Sequence, residues 1–238
     1  MNKKLIFQTT HSIKNAQNDD AKLKSLWNFC GDAGIDNFSF VSSRLSLTNA
    51  APDVKRLDGF PSAWRQRYDE MDYQASDLAM DHCRNNIAPL QWMNPDLKLD
   101  KINKKIYTEA AEFGIVSGIS YPFHGINGEN AIFSATVSSS FKDSPLKSLT
   151  TQYGLYLIGS TLFDIQRSTE QGELANVLSK REKECLRWAA DGKTAWEIAK
   201  ILKISERTAV FHFENARKKL STASRIETVS KALLMSIL

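Results

Sequence analysis

The stretch LSKREKECLRWAADGKTAWEIAKILKISERTAVFHFENARKKLSTASRIETVSKALLMSIL, residues 178–238, decides the fold. It opens a helix four times, each time with a hydroxyl residue where an N-cap belongs. Ser179 stands three residues before Glu182, Thr194 three before Glu197 and Ser224 three before Glu227. That is the spacing of the capping box, in which hydroxyl and carboxylate each satisfy a backbone N–H at the helix start. Ser205, before Glu206, offers a fourth cap. Leu186, Ala189 and Ala190 give the first helix an apolar face that stops at Gly192, and Ile198, Ala199, Ile201 and Leu202 give the second its face. Lys203 and Ile204 form a short turn into a third helix, residues 206–220, and Val229, Ala232 and Leu233 mark the fourth. A short helix, a tight turn and a longer helix bearing Arg207, Asn215, Arg217, Lys218 and Lys219 match the helix-turn-helix, whose second helix enters the major groove.

Charge agrees with that reading. From Leu178 onward there are 13 Lys/Arg against 7 Asp/Glu, an excess of +6, so the first 177 of the 238 residues carry 18 against 20, or −2. Attraction to phosphate needs such a local excess. A solvated basic bundle is the competing reading, and it leaves the coincidence of charge and capping unexplained.

These residues carry a resemblance. The run from Leu178 to Thr194, followed by Glu197-Ile-Ala, Ile204-Ser-Glu-Arg-Thr, Phe211-His212 and Lys219-Leu220, is similar to the C-terminal domain of the LuxR family of quorum-sensing transcription factors. Glu182, Leu186 and Gly192 fall on that family's signature positions. The resemblance implies that the third helix reads DNA. Its contact residues would be Arg207, Thr208, Val210, Phe211, Glu214, Arg217 and Lys218. Arg207, Arg217 and Lys218 suit phosphates, Thr208 suits the DNA backbone, Val210 suits a thymine methyl, and Glu214 suits either cytosine N4 or a pairing with Lys218 one turn away. Ala209 stands where Val is usual.

The first 167 residues are long enough for their own core. With 42% hydrophobic and 24% charged residues the composition is that of an ordinary globular protein. No apolar run approaches the ~20 residues of a membrane span, and Met1-Asn-Lys-Lys leads into no signal-peptide core, so a cytoplasmic location is expected. Cys30, Cys83 and Cys185 are few and far apart, which suits buried thiols rather than a disulfide or metal framework. No catalytic or metal-binding motif is present, so neither enzyme activity nor a cofactor is expected.

Along this segment Leu23, Leu26, Trp27 and Cys30 space as a helix ending at Gly31 and Gly34. Residues 37–47 alternate as a strand, with Phe38, Phe40 and Val41 towards a core, before a turn over 49–52. Pro61 suits the first turn of a helix that places Phe60, Trp64 and Tyr68 four apart, with Met71 a turn later. Ser76 can cap a helix through Asp77, Met80 and Cys83, and residues 87–92 read as a short strand interrupted by Pro89. A turn follows at 94–96. Residues 101–113 form a helix with Ile102, Ile106, Ala110 and Phe113 on one side. Residues 115–123 and 131–139 read as a hairpin around Gly125, Asn127 and Gly128. Pro145 opens a long helix to about Arg167 with Leu146, Leu149, Tyr153, Tyr156, Leu157 and Phe163 as its stripe. The expected fold is α+β: an α/β/α sandwich with an antiparallel sheet over residues 1–167, a linker at 168–177, and an all-α four-helix domain at 178–238.

Trp64-x-x-x-Tyr68, Asp77, Pro89-Leu-Gln-Trp92 and Gly118 resemble the autoinducer-binding domain of the same family. What this implies is a pocket for an acyl-homoserine lactone. An indole N–H only donates, so Trp64 suits the lactone carbonyl; an ionised carboxylate only accepts, so Asp77 suits the amide N–H. Tyr68 and Trp92 would line the acyl chain and ring. Ser134 is the family-matched hydroxyl for the amide carbonyl, with Thr136 as its substitute two residues on. Phe60 stands where the family carries a Tyr whose hydroxyl binds that carbonyl, Leu78 stands where Pro is usual, and Ala79 stands where some members have a polar contact. Read alone, aromatic residues at this spacing are more often core, and Asp77 reads as a first-turn acid. The implied partners are double-stranded DNA, a small-molecule autoinducer and a second copy of the chain. A regulator that senses a non-lactone molecule or a protein partner is the alternative.

Overall fold

The structure is a computed structural model that describes residues 3–44, 52–92, 98–126, 128–175, 177–235 and 237–238, with the side chains of 170–175 excepted. The expected turn at 94–96, most of that at 49–52, Asn127 and Asn176 lie outside the described residues. Backbone contacts divide the chain into two units, Met1–Ser43 with Val54–His124 and Asn130–Ile165, and Arg44–Asp53 with Gly125–Glu129 and Gln166–Leu238.

The first unit is built on a five-stranded sheet of order β2-β1-β5-β4-β3, where β1 is Asn37–Arg44, β2 Asp53–Asp58, β3 Leu90–Trp92, β4 Ser117–His124 and β5 Asn130–Val137. β4 and β5 pair antiparallel from Ser117 opposite Val137 to His124 opposite Asn130, which is the expected hairpin. Alternation gives each strand two unlike faces. Phe38, Phe40, Ile119, Tyr121, Phe133 and Ala135 pack on one side, together with helices α1 (Lys3–Lys14), α2 (Asp19–Ala33) and α6 (Leu149–Ala175). Trp92 belongs to the cluster on the other side, with α3 (Ser62–Glu70), α4 (Leu78–Asn85) and α5 (Lys101–Glu112). This is the sandwich that the sequence led us to expect.

Several local readings change. α1 and β2 carried no recognisable pattern. Val41 faces away from Phe38 and Phe40, towards α3–α5, because strand neighbours point to opposite faces. Met71 lies past the end of α3 and is exposed, since that helix stops at Glu70. The cap of α4 is Asp77 rather than Ser76, its carboxylate accepting the Ala79 N–H at 2.8 Å. Strand β3 starts only at Leu90, and Ile87 is exposed. On α5 the buried face is Asn103, Ile106, Tyr107 and Ala110, with Ile102 outside. On α6 the buried apolar residues among those described are Leu155, Ile158, Leu162 and Phe163, while Leu149, Tyr153, Tyr156 and Leu157 form an exposed stripe. α6 also continues helically to Ala175, over most of the stretch read as linker, whose single glycine costs a helix only about 1 kcal/mol.

The second unit contains α7 (Lys180–Ala190), α8 (Ala195–Leu202), α9 (Glu206–Lys219) and α10 (Arg225–Leu234). Both partners of the capping boxes at Ser179/Glu182 and Thr194/Glu197 are in place. At α10 only half of the box forms. Ser224 accepts from the Glu227 N–H, but Glu227 turns to the Ala223 N–H instead of that of Ser224. Gly192 has φ +80, as a left-handed stop should, and Lys203 takes φ 54 in the turn between α8 and α9. Leu186, Ala216, Leu220 and Ala232 are fully buried between the helices. No described helix of the chain is long and apolar enough to cross a membrane.

Candidate functional site

The second face of the sheet and helices α3–α5 enclose a pocket. The four-residue spacing on α3 turns Trp64 and Tyr68 into it, and the Trp64 ring packs edge-on against Tyr68 at 5.7 Å and against Phe113 at 5.7 Å. The Trp64 indole N–H meets no acceptor among the described residues, so its donor remains available to a ligand. Phe60, just ahead of α3, lines the wall with Arg65, whose guanidinium lies 5.4 Å from both the Phe60 and Tyr68 rings and pairs with Asp58. Trp92 closes the opposite end, stacked on Tyr107 at 5.3 Å.

Asp77 sits between these walls and is 9% exposed. One carboxylate oxygen accepts from the Ala79 N–H at 2.8 Å and the Tyr107 hydroxyl at 3.2 Å, and the other accepts from the Tyr68 hydroxyl at 2.8 Å. A carboxylate offers about four acceptor directions, so one remains on the oxygen that Tyr68 occupies. Burial holds the Asp77 carboxyl above the ordinary carboxylate range, although the two tyrosines and the Ala79 N–H pull it down. The same burial, with Asp77 beside them, pushes both tyrosine hydroxyls far up, so they stay donors at any physiological pH. Asp77 is therefore at once a helix cap and a hydrogen-bond acceptor on the pocket wall.

Across the floor runs a row of hydroxyls. Ser39 on β1 pairs in register with Ser134 on β5, and Ser134 with Ser120 on β4. The Trp92 indole N–H donates to Ser120 at 3.1 Å, and the Ser120 and Ser134 oxygens are 2.8 Å apart. When Ser120 passes its own proton to Ser134, the Ser134 hydroxyl is left free to donate into the pocket. Thr136, two residues on, is fully buried but off the pocket wall, where the Asn37 side-chain amide reaches it at 3.4 Å. The reason lies in its strand neighbour Gly118. A Cβ there would stand 2.4 Å from the Trp92 ring, so that ring covers this end of the row.

Phe60, Trp64, Tyr68, Asp77, Trp92 and Ser134 thus converge on one pocket, and Thr136 does not. Tyr107, Ser39, Ser120, Arg56 and Arg65 also line it and had not been singled out. Two of them left a trace in the sequence. Ser39 alternates with Phe38 and Phe40, and Tyr107 follows Ile106 on the face of α5 that repeats at Asn103 and Ala110. The three cysteines are free and buried, and burial pushes the Cys30 and Cys83 thiols up to about 12.

In the second unit, α9 presents Arg207, Val210, Phe211 and Lys218 to solvent. Thr208 is half-buried and meets the Ser205 hydroxyl at 2.7 Å. Arg217 and Glu214, read as independent contacts, are paired with each other at 2.8 Å, and Arg217 also donates to the Thr222 carbonyl at 3.3 Å. Glu214 therefore takes Arg217 rather than Lys218, since three residues of helix already bring the guanidinium fork into reach. Arg207 and Lys218 have no partner among the described residues. The double substitution Arg207→Ala with Lys218→Ala is expected to weaken binding to any duplex and to flatten the plot of log affinity against log salt by about 1.8, at ~0.9 per phosphate. Arg217→Ala should instead lower the melting temperature. An unchanged slope in the double variant, measured by fluorescence anisotropy, would remove both residues from the contact surface.

Comparison with known proteins gives concordant matches to both units. The family model described as the autoinducer binding domain matches residues 20–164, and that described as bacterial regulatory proteins, luxR family, matches residues 176–232. The transcriptional activator protein LuxR of Aliivibrio fischeri is 36% identical over 187 residues, 76% of this chain and 74% of that one. VanR of Vibrio anguillarum, also a transcriptional activator protein, is 37% identical over 179 residues, 74% of each. Among solved structures, SdiA of Escherichia coli shares the fold with a TM-score of 0.81 at 24% identity, over 98% of both chains.

Proposed function

We propose, from the premise that this chain belongs to the LuxR family of bacterial regulatory proteins, that its effector is an acyl-homoserine lactone held in the α3–α5 pocket. The chain is a ligand-responsive transcription regulator of quorum sensing, with an autoinducer-binding domain followed by a helix-turn-helix domain. The observation that carries the lactone is Asp77, a buried carboxylate with one acceptor direction open, in the same pocket as the Trp64 indole N–H, which has no partner among the described residues. A ligand with one N–H to give and one carbonyl to offer satisfies both groups. Ser134, fed by Trp92 and Ser120, donates to the amide carbonyl in place of the hydroxyl that Phe60 lacks.

In this reading the chain acts in the cytoplasm as a homodimer, without enzymatic turnover of its ligand. The exposed stripe of Leu149, Tyr153, Tyr156 and Leu157 on α6 supports self-association, because burying it in a second copy removes apolar surface from water. Sedimentation at twice the monomer mass, lost in Leu157→Glu, is expected; an unchanged mass in that variant would move the interface elsewhere. A second reading, a regulator answering to a non-lactone acyl ligand, is favoured by Phe60, where a donor to the amide carbonyl is missing.

The test is thermal unfolding of the full chain against lactones of graded chain length. A concentration-dependent rise for a subset is expected, since a ligand that binds only the folded form stabilises it by mass action. No rise for any lactone, in protein that is folded and binds DNA, would favour the second reading.

A further inference from the structure

We propose that α3 is a lid over the pocket, hinged along β2 and latched to α5 by Arg67, Glu109 and Tyr73, and that it lifts when the pocket fills; this rests on the reading of that pocket as the effector site. The free space enclosed there is about 70 Å³, and Trp64, Tyr68, Trp92 and Tyr107 around it are all buried. Sites that hold small molecules measure roughly 300–1,000 Å³. A lactone ring with its acyl chain therefore needs a wall to retreat, because side chains packed at interior density have little slack to give up.

α3 is the wall whose two edges are attached differently. Successive residues of a helix turn by about 100°, so with Trp64 and Tyr68 inward, Arg65 and Asp69 fall on one edge and Arg67 on the other. On the first edge the chain itself joins β2 to α3 across residues 59–61, and the Arg65–Asp58 and Arg56–Asp69 ion pairs reinforce the joint. On the other edge, α5 is remote in sequence and side chains make the join. Glu109 accepts from two nitrogens of Arg67, at 2.9 and 3.3 Å, and from the Tyr73 hydroxyl at 2.8 Å, with Lys105 at 3.8 Å. The hydrogen bond from Arg67 holds the Glu109 carboxyl below its ordinary range, so the cluster stays charged. Asp72, in the left-handed region at φ 48, ends the helix just before Tyr73 and leaves α3 to tilt as a unit. Inside, the Tyr68 hydroxyl reaches the Asp77 oxygen that has a direction open to a ligand N–H, so what lifting α3 loses there the effector returns. Arg67, Glu109 and Tyr73 do not line the pocket, and a latch closed only in the empty protein lowers affinity by the fraction of time it stays shut.

The experiment compares the full chain with Glu109→Gln and Arg67→Met, each checked for folding by its melting temperature. Hydrogen exchange is followed first, without ligand. The amides of α3 are expected to exchange several-fold faster in both variants, with those of β4 and β5 unchanged. Uptake of octanoyl-homoserine lactone, read by tryptophan fluorescence after rapid mixing, should then be several-fold faster, and its affinity equal or up to about threefold tighter. A substitution that only loosened the fold would weaken binding instead. Slower uptake, weaker binding, or α3 amides that keep the wild-type rate in both variants overturns the lid. If lactones of every chain length fail to bind, the acyl-lactone reading falls and the exchange of α3 alone decides the lid, so the two failures are told apart.

Discussion

Asp77→Asn is expected to leave the unliganded protein folded, with an equal or higher melting temperature, and to weaken lactone binding by about 100-fold. The two effects have separate physical origins. Asparagine caps a helix as well as aspartate does, so its carbonyl oxygen keeps the Ala79 N–H and the start of α4. The amide nitrogen then takes the place of the oxygen that faces Tyr68 and the open acceptor direction. The Tyr68 hydroxyl can rotate and accept from it, but a ligand N–H cannot, and donor meets donor. Removing the charge also removes the burial penalty that holds the Asp77 carboxyl above its ordinary value of 3.8. Thermal unfolding with and without lactone checks both halves. Unfolding of the variant even with ligand present would make Asp77 a structural residue rather than a ligand acceptor.

The same residue gives the pocket a pH dependence whose sign follows from that direction. A carboxyl whose folded pKa is raised binds its proton more readily when folded, so the stability due to neutral Asp77 is fully present below the unfolded value and is lost as pH rises through the folded one. The unliganded protein thus carries a cost at neutral pH that protonation relieves. Ligand runs the other way, because its N–H needs the ionised acceptor. Acidification through the raised Asp77 pKa should weaken lactone binding, and Asp77→Asn should lack that pH step.

How far the residues alone disclosed this molecule differs between its halves. The helix-turn-helix was legible almost to the residue, because its starts rest on local chemistry: a hydroxyl and a carboxylate three apart suffice for a cap. Ser224 shows the limit, since Glu227 had a second N–H in reach and took it. In the sandwich, Trp64, Tyr68 and Asp77 were marked as pocket residues only by the family resemblance, since their spacing read alone suits a core and a first-turn acid. The serine row as a whole was not legible, since Ser39, Ser134 and Ser120 come from three strands and meet only through register. The apolar stripe of α6 was legible but its exposure was not, because an apolar face looks alike in sequence whether it is buried on the sheet or left at the surface. The Arg217–Glu214 pair was not legible either, because a basic residue on a helix is silent about the glutamate three residues before it.

Glu182→Ala is expected to lower the melting transition of the second unit by roughly 10–20 °C, on a loss of about 2–3 kcal/mol. Glu182 is 4% exposed and joins two helices that are remote in sequence. Its carboxylate accepts from the Ser179 N–H at 2.7 Å, closing the capping box of α7, and from Lys219 at 2.8 Å, the last residue of α9. Loss of the cap costs about 1 kcal/mol. Lys219 is 43% exposed, so water recovers part of its charge and the ion pair adds only about 1 kcal/mol more. The buried stem adds about 0.8 kcal/mol per methylene left without contacts. Burial alone would raise the Glu182 carboxyl, but Lys219 and Ser179 outweigh it and hold it below the ordinary range. This stability is present above the unfolded pKa and is lost as pH falls through the folded one, opposite in sign to Asp77. Acid should therefore loosen the DNA-binding unit while it relieves the empty pocket. Because α9 is the helix that presents Arg207 and Lys218, Glu182→Ala should also weaken DNA binding as temperature approaches the lowered transition, with the salt slope unchanged at low temperature. Glu182→Gln keeps an acceptor for the Ser179 N–H and should lose only the Lys219 share. Calorimetry of both variants in the full chain decides it: equal losses would place the whole effect on the ion pair, and no loss in either would mean that water replaces the clamp without cost.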